Sequence, residues 1–256
     1  MTNKRRPAPD IRVTSMRYAI FSDVHSNVEA FEAVISALKK EKADEYLCGG
    51  DIVGYGAEPS RSIEMTKKLT DKVVCGNHDW GSVGLFDISC FNPFAKEAVM
   101  WTAQQLSAPE KAYLKALKTV YEDSNVTMVH GSLNEPEQFH YILNIYEAFT
   151  TFNFMKTQVC LIGHSHSPAV FLKTVDEVAL SFESSVKIEK GTSYIVDVGS
   201  VGQPRDGDPR ACYAIFDTDE KCVEIKRASY DIKKAAKKIK EAGLPPILAN
   251  RLSEGR

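Results

Sequence analysis

No run of residues in this chain is apolar enough, for long enough, to cross a bilayer. The first residues, with Lys4, Arg5 and Arg6 followed by Pro7 and Pro9, lack the hydrophobic stretch of an export signal. Neither a membrane protein nor a secreted one is expected. Surplus positive charge is also missing: 32 Lys and Arg stand against 34 Asp and Glu, a formal net charge of -2. A general nucleic-acid binder would usually be basic, so that class is disfavoured, while a small phosphorylated substrate is not. None of the six cysteines (Cys48, Cys75, Cys90, Cys160, Cys212 and Cys222) belongs to a CxxC pair. Several lie in apolar runs such as Leu47-Cys48 and Val159-Cys160, where a thiol packs as a small hydrophobe. Free buried thiols suit a reducing compartment, and a cytoplasmic protein is expected. Internal repeats and low-complexity tracts are absent as well.

What is present is an ordinary globular composition, 43% hydrophobic and 26% charged over 256 residues. That length fits one domain, expected over residues 16–256 behind a flexible arm of residues 1–15. The first half alternates strand and helix. Residues 18–21 form a short apolar run, and Ser26 with Glu29 has the spacing of a capping box. Val28, Phe31, Ile35 and Leu38 then recur at helical spacing. Strands near 45–48 and 72–75 with a helix around 60–69 complete a βαβαβ series, which predicts a parallel sheet. An insertion near 87–120 reads as helical, with Ser107 and Glu110 as a second capping box, and serves either as a lid or as a dimer surface. Strands are expected at 126–129 and 159–162. The aromatics between them, among them Phe139, Tyr141, Tyr146, Phe149, Phe152 and Phe154, are expected mainly in the core rather than as a stacking platform. Beyond Pro168, five strands without helices predict an antiparallel second sheet. A final helix from 232 to about 242 ends at Gly243.

Five segments each place metal-grade side chains just after an expected strand. They are Asp23-Val24-His25, Gly49-Gly50-Asp51, Gly76-Asn77-His78-Asp79, Val129-His130-Gly131 and Gly163-His164-Ser165-His166. Ligand sites in open α/β sheets lie beyond the carboxyl ends of the strands, so residues far apart in sequence can converge there. Carboxylate, amide oxygen and imidazole together suit Mn, Fe, Zn, Co or Ni. They suit Mg or Ca less, because those ions prefer oxygen shells. No cysteine falls in the five segments, which argues against a closed structural zinc site. The set is large enough for two divalent cations with a shared carboxylate, an apparatus that hydrolyses phosphate esters. Each segment alone is weak, and the ordered set of five is specific.

This ordered set, D-x-H, G-D, G-N-H, H and G-H-x-H, resembles the calcineurin-like metallophosphoesterase superfamily over most of the chain. The resemblance implies an α/β fold, a four-layer α/β/β/α sandwich of two mixed β-sheets flanked by helices. It implies that Asp23, His25, Asp51 and His166 hold one metal, and that Asp51, Asn77, His130 and His164 hold the other. His78 would stand free of the metals beside the substrate, and a metal-bridging hydroxide would attack phosphorus. Asp79 either orients a ligand histidine or caps its turn.

Two departures bear on the substrate. Gly50-Asp51-Ile52-Val53-Gly54-Tyr55-Gly56 lacks the arginine that the protein phosphatase branch carries there, and Ser26 replaces that branch's glycine. A monoester dianion usually needs such a guanidinium clamp, so diesters or pyrophosphate-linked substrates are expected. Together with Gly199-Ser200-Val201-Gly202-Gln203-Pro204-Arg205, the segment looks like that of small prokaryotic phosphodiesterases of the diadenosine-tetraphosphatase-like branch. Asp197-Val198 stands where relatives often have Asn-Pro. Arg205 reads either as a contact to substrate phosphate or as a local ion pair with Asp206 or Asp208. Tyr55 reads as pocket wall or as packing. The expected partner is a small phosphorylated substrate, with nucleotides included. The alternative is a phosphoprotein or small-molecule monoester phosphatase in which Arg205 replaces the missing arginine. A non-enzymatic scaffold is least favoured, because no ligand of the pattern is lost.

Overall fold

The computed structural model describes residues 15–256. The arm expected over 1–15 therefore lies almost wholly outside the described residues. The first unit runs through strand β1 (Arg17–Phe21), helix α1 (Val28–Leu38) and strand β2 (Glu45–Cys48). Three helices follow, α2 (Pro59–Leu69), α3 (Asn77–Gly81) and α4 (Pro93–Gln105), and then α5 (Ala108–Ala116). Strands β3 (Val120–Glu122) and β4 (Val126–Val129) lead through α6 (Ile145–Phe152) to β5 (Val159–Ile162). Next come β6 (Ala169–Lys173), β7 (Val178–Ser181), β8 (Ser185–Lys187) and β9 (Ser193–Asp197). The chain closes with β10 (Ala211–Asp217), β11 (Cys222–Ala228), α7 (Ile232–Glu241), α8 (Pro246–Asn250) and a 3-10 turn, Arg251–Ser253.

Two mixed sheets result, in the orders β2-β1-β10-β11-β8 and β3-β4-β5-β9-β6-β7. β1 pairs parallel with β2, and β5 pairs parallel with both β4 and β9. Alternation along β1 fixes the layering. Tyr18 and Ile20 join Met128, Leu161, Val196 and Phe216 in the core between the sheets. Ala19 and Phe21 face outward to Phe31, Val34 and Leu38 of α1. Each such fully buried large side chain contributes roughly 1.5–3 kcal/mol relative to exposure. On the far side, Val129, Cys160 and Ile195 pack with Ala148 and Phe152 of α6. Helix, sheet, sheet and helix layers are thus in place. Residues of α4, α7 and α8 form a separate cluster around Tyr55, with Ala98, Ile239 and Leu248 at its centre.

Several expectations need correction. The strands after Pro168 do not form one antiparallel sheet. β6, β7 and β9 extend the second sheet, while β10 and β11 join β1 in the first. Six consecutive buried residues of β10 show it to be covered on both faces, and a strand buried on both faces carries no alternation to name its neighbours. Residues 72–75 form only isolated bridges, Cys48 to Val73 and Val74 to Lys118, because the chain turns at once into α3. Asn27, not Ser26, caps α1: its side chain accepts the Ala30 amide at 3.2 Å. The second capping box is formed, with the Ser107 amide and hydroxyl both donating to Glu110. The end of the last helix also matches, with Gly243 at φ +73°. Of the six named aromatics, Phe139 and Phe152 are buried, and Tyr141, Tyr146, Phe149 and Phe154 are exposed.

Candidate metal centre

The carboxyl ends of β1, β2, β4 and β5 meet at one edge of the sandwich and release four of the five segments, while Gly76-Asn77-His78-Asp79 follows the isolated bridges at Val73 and Val74. Asp23, His25, Asp51, Asn77, His130, His164 and His166 are all brought together, none more than 6% exposed. The chain must turn sharply at each strand end. Asp23, His25, Asp51, His164 and His166 themselves adopt left-handed backbone, with φ between 47° and 70°. Such a conformation costs a non-glycine residue of the order of 1 kcal/mol or more, and it clusters at functional sites. Two glycines make room for the site. A Cβ on Gly76 would run into the Asp51 carboxylate, and one on Gly54, at φ +96°, would meet the His78 ring.

Backbone groups aim the ligating atoms. Asp23 uses Oδ2 to accept the His164 amide at 3.1 Å, and Asp51 uses Oδ1 to accept the His78 amide at 2.8 Å. The other oxygen of each faces the histidines. Asp23 Oδ1 lies 3.2 Å from His166 Nε2, and Asp51 Oδ2 lies 3.5 Å from His25 Nε2 and 3.3 Å from His130 Nε2. The Nδ1 atoms of His25, His130 and His166 lie 3.0, 2.7 and 2.6 Å from the carbonyl oxygens of Val53, Gly49 and Gln203. A carbonyl only accepts, so Nδ1–H donates in each case, and in the neutral rings of His25 and His166 Nε2 carries the lone pair. Asp79 takes the turn-capping role, accepting the amides of Val53 and Gly76. Its carboxyl is pushed up to about 7, by burial first and then by Asp51.

This donor set fits a cation. His25 Nε2 and His166 Nε2, two lone-pair atoms, face each other at 3.0 Å. Donors at right angles around a cation with bonds of about 2.1 Å lie about 3 Å apart. Asp23 Oδ1, Asn77 Oδ1 and His130 Nε2 are buried without a hydrogen-bond partner, a costly arrangement that a cation relieves. Three groups have ligating atoms within 4.8 Å of one another: Asp23, His25 and His166; His25, Asp51 and His78; Asp51, His130 and His164. His78, expected beside the substrate and free of the metals, reaches His25 and Asp51 within that distance.

Electrostatics follow from burial. Burial opposes charge on Asp23 and Asp51, but histidines outweigh it and hold both below the usual carboxylate range, His166 and His130 acting on Asp23 and His130 and His78 on Asp51. Burial also lowers the imidazoles of His25, His164 and His166, and it pushes His78 down to about 4. His130 goes the other way: burial lowers it, but Asp51 and Asp23 raise it to about 10. These directions set a stability profile for the metal-free protein. With an unfolded histidine near about 6.5, the unfolded chain binds more protons wherever a folded imidazole is depressed. Stability is then lost as pH falls from about 6.5 toward 4, by roughly 3 kcal/mol for His78 alone. The His130 contribution is complete below about 6.5 and is lost as pH rises through about 10. Thermal midpoints of chelator-treated protein should therefore fall on both sides of near-neutral pH. A flat profile between pH 4.5 and 7 would contradict this electrostatic picture.

A cavity of about 400 Å³ opens beside Asn77, His78 and His164. Phe86 and Phe91, from the segment before α4, and Phe139 and Tyr141 form its walls. Tyr141 stacks on the His164 ring with centroids 3.7 Å apart. The Tyr55 ring packs 4.6 Å from His25 and 4.4 Å from His78, and it lines the cavity. A larger cavity, about 640 Å³, lies at the opposite ends of β5 and β9 and is lined by no histidine or carboxylate, so the chemistry belongs to the smaller one. Arg205 pairs with neither Asp206 nor Asp208. Its guanidinium donates to Tyr55 Oη at 3.2 Å and to Gln203 Oε1 at 3.1 Å. Arg210 makes the local ion pair instead, with Asp208. Asp197 holds two loops together, accepting the Ser165 hydroxyl at 2.7 Å and the Gly199 amide at 2.9 Å. Sequence reasoning missed Arg251, which donates to Gln203 Oε1 at 3.3 Å. It also missed the aromatic walls Phe86 and Phe91, which flank the start of the insertion without any motif.

Known proteins give the same picture. Residues 16–221 match the model of the calcineurin-like phosphoesterase superfamily domain. A protein of Methanocaldococcus jannaschii, MJ0912, is 36% identical over 242 residues, covering 93% of this chain and 98% of its own. A metallophosphoesterase from Sphaerobacter thermophilus has a similar structure, with a TM-score of 0.83 and 40% identity over 94% of this chain and 100% of that one. The protein PH1004 of Pyrococcus horikoshii OT3 shares the fold at a TM-score of 0.74 and 20% identity, covering 94% of this chain and 98% of its own. The chain belongs to the calcineurin-like phosphoesterase superfamily and is, by that membership, a phosphoric ester hydrolase that depends on metal.

Proposed function

We propose that this protein hydrolyses phosphodiester or pyrophosphate-linked small molecules, nucleotides among them, at a pair of divalent cations. One observation carries the reading: Asp51 Oδ2 faces His25 Nε2 and His130 Nε2 together, at 3.5 and 3.3 Å. A carboxylate so placed could be shared by two sites. Asp23, His25, Asp51 and His166 would hold one cation, and Asp51, Asn77, His130 and His164 would hold the other. When bound, such a pair, drawn from Mn, Fe, Zn, Co or Ni, would supply Lewis acidity toward phosphate and a nucleophilic water at neutral pH. His78 is buried, and its Nδ1 has no hydrogen-bond partner. Held neutral, its ring can donate a hydrogen bond to the leaving oxygen and steady charge developing there. Asn77 and His78 also line the aromatic-walled cavity, which takes the leaving group.

The preference for diesters rests on the arginines. None forms an ion pair or hydrogen bond with the clustered aspartates among the described residues. Arg205, the candidate named from the sequence, donates to Tyr55 Oη and Gln203 Oε1. That same guanidinium is the one observation favouring the second reading, a monoester phosphatase. Manganese-loaded protein should therefore cleave bis-p-nitrophenyl phosphate faster than p-nitrophenyl phosphate. A faster monoester would transfer the lead to the phosphatase reading. No helix among the described residues is long and apolar enough to cross a membrane. The free thiols support placement in the reducing cytoplasm.

A further inference from the structure

Arg205 and Arg251 converge on a single neutral acceptor. Both donate to Gln203 Oε1, at 3.1 and 3.3 Å. The Nε atom of each is buried without a partner. Among the described residues neither forms an ion pair, and the nearby carboxylates are committed elsewhere: Asp206 to Arg227, Asp208 to Arg210 and Glu254 to Arg256. Two guanidiniums with no counter-charge repel each other, and burial adds to the cost. An anion between them removes both penalties, and a phosphate matches the guanidinium fork.

The pair is fixed in place beside the metal centre. The Arg205 amide donates to the His166 carbonyl at 3.0 Å. Its guanidinium carbon lies 5.7 Å from the centre of the Tyr55 ring, which also packs on His25, His78 and His166. The same tyrosine ring therefore contacts both the guanidinium and imidazoles of the metal cluster. The C-terminal turn carries Arg251 to the same point. Leu252 is buried under Tyr55 in the cluster of α4, α7 and α8, and the Gly207 amide donates to the Gly255 carbonyl at 3.0 Å. Burial raises the Tyr55 phenol, and the charges of Arg205 and Arg251 oppose that rise.

We propose that Arg205 and Arg251 form a second anion subsite at the rim of the metal centre, which takes a phosphate next to the scissile one. The preferred substrates then carry a chain of two or more phosphates, as in pyrophosphate-linked nucleotides, rather than a single diester group. This deepens the function proposed above and rests on it.

The test uses the full chain, stripped of metal, and inorganic triphosphate as the probe. Calorimetric titration should show triphosphate binding well above orthophosphate. Arg205→Ala and Arg251→Ala should each weaken it about 10- to 100-fold, the loss expected for one charge-assisted pair. Arg251→Lys, which keeps the charge and loses the fork, should fall between wild type and Arg251→Ala. It also serves as the second variant if the alanine protein fails to fold. In manganese-loaded protein, Arg251→Ala should lower by about tenfold or more the ratio of kcat/KM for a pyrophosphate-linked dinucleotide to that for bis-p-nitrophenyl phosphate. Equal triphosphate affinity in wild type and variants, or an unchanged ratio, overturns the subsite. Intact triphosphate binding with no hydrolysis of any ester overturns the phosphoesterase reading and leaves the subsite standing.

Discussion

Replacing Asp51 with alanine should lower hydrolysis of any substrate by more than about 1000-fold, since the stabilisation expected of a metal centre is several kcal/mol. The reason lies in the two oxygens. Oδ2 is the atom that faces both His25 and His130, and without it neither proposed cation would keep its full shell. Oδ1 accepts the buried His78 amide, so alanine also leaves an unsatisfied donor, costing about 1–3 kcal/mol of stability. Asp51→Asn separates the two effects, because an amide oxygen can still accept that bond while the bridging charge is gone. Metal analysis beside the rate should show both variants depleted. Full activity in a well-folded Asp51→Ala protein would remove Asp51 from the mechanism.

The second large effect is expected at His78. His78→Ala should lower kcat about 100- to 10,000-fold, the usual span for loss of a positioned proton donor or acceptor, with metal content close to wild type. The geometry makes this a sharp test. His78 lies within ligating distance of His25 and Asp51, so a role as a further ligand is the direct competitor. If metal is lost together with activity, His78 belongs to the metal shell. A leaving group of low pKa needs no protonation. If His78 is a general acid, the loss should therefore be smaller with a nitrophenyl ester than with an alkyl ester.

Much of this site was legible because short motifs sit where β1, β2, β4 and β5 end, and strand ends need only apolar runs to be found. The seven side chains named from the five segments all meet. The means by which they meet was not legible. Asp23, His25, Asp51, His164 and His166 take the left-handed backbone themselves, a cost that only tertiary contacts can hold. Ser26 and Glu29 have capping-box spacing, yet Ser26 also lies at φ 56° and Asn27 becomes the cap. Sheet membership after Pro168 escaped for a different reason. Strand pairing is a long-range choice, and the continuous apolar run of β10 carries no mark of β1 as its partner. Arg251 shows the same limit at the site. Its neighbours in sequence, Asn250 and Leu252, say nothing of phosphate, and only the docking of the C-terminal turn brings it to Gln203.

The central claim is a pair of cations sharing Asp51, and a metal titration of activity tests it most directly. Metal-free protein is titrated with manganese while hydrolysis of bis-p-nitrophenyl phosphate and bound metal are followed together. The account predicts a rate that climbs to a plateau at two equivalents per chain. A plateau at one equivalent, or two bound equivalents with no hydrolysis, would contradict it.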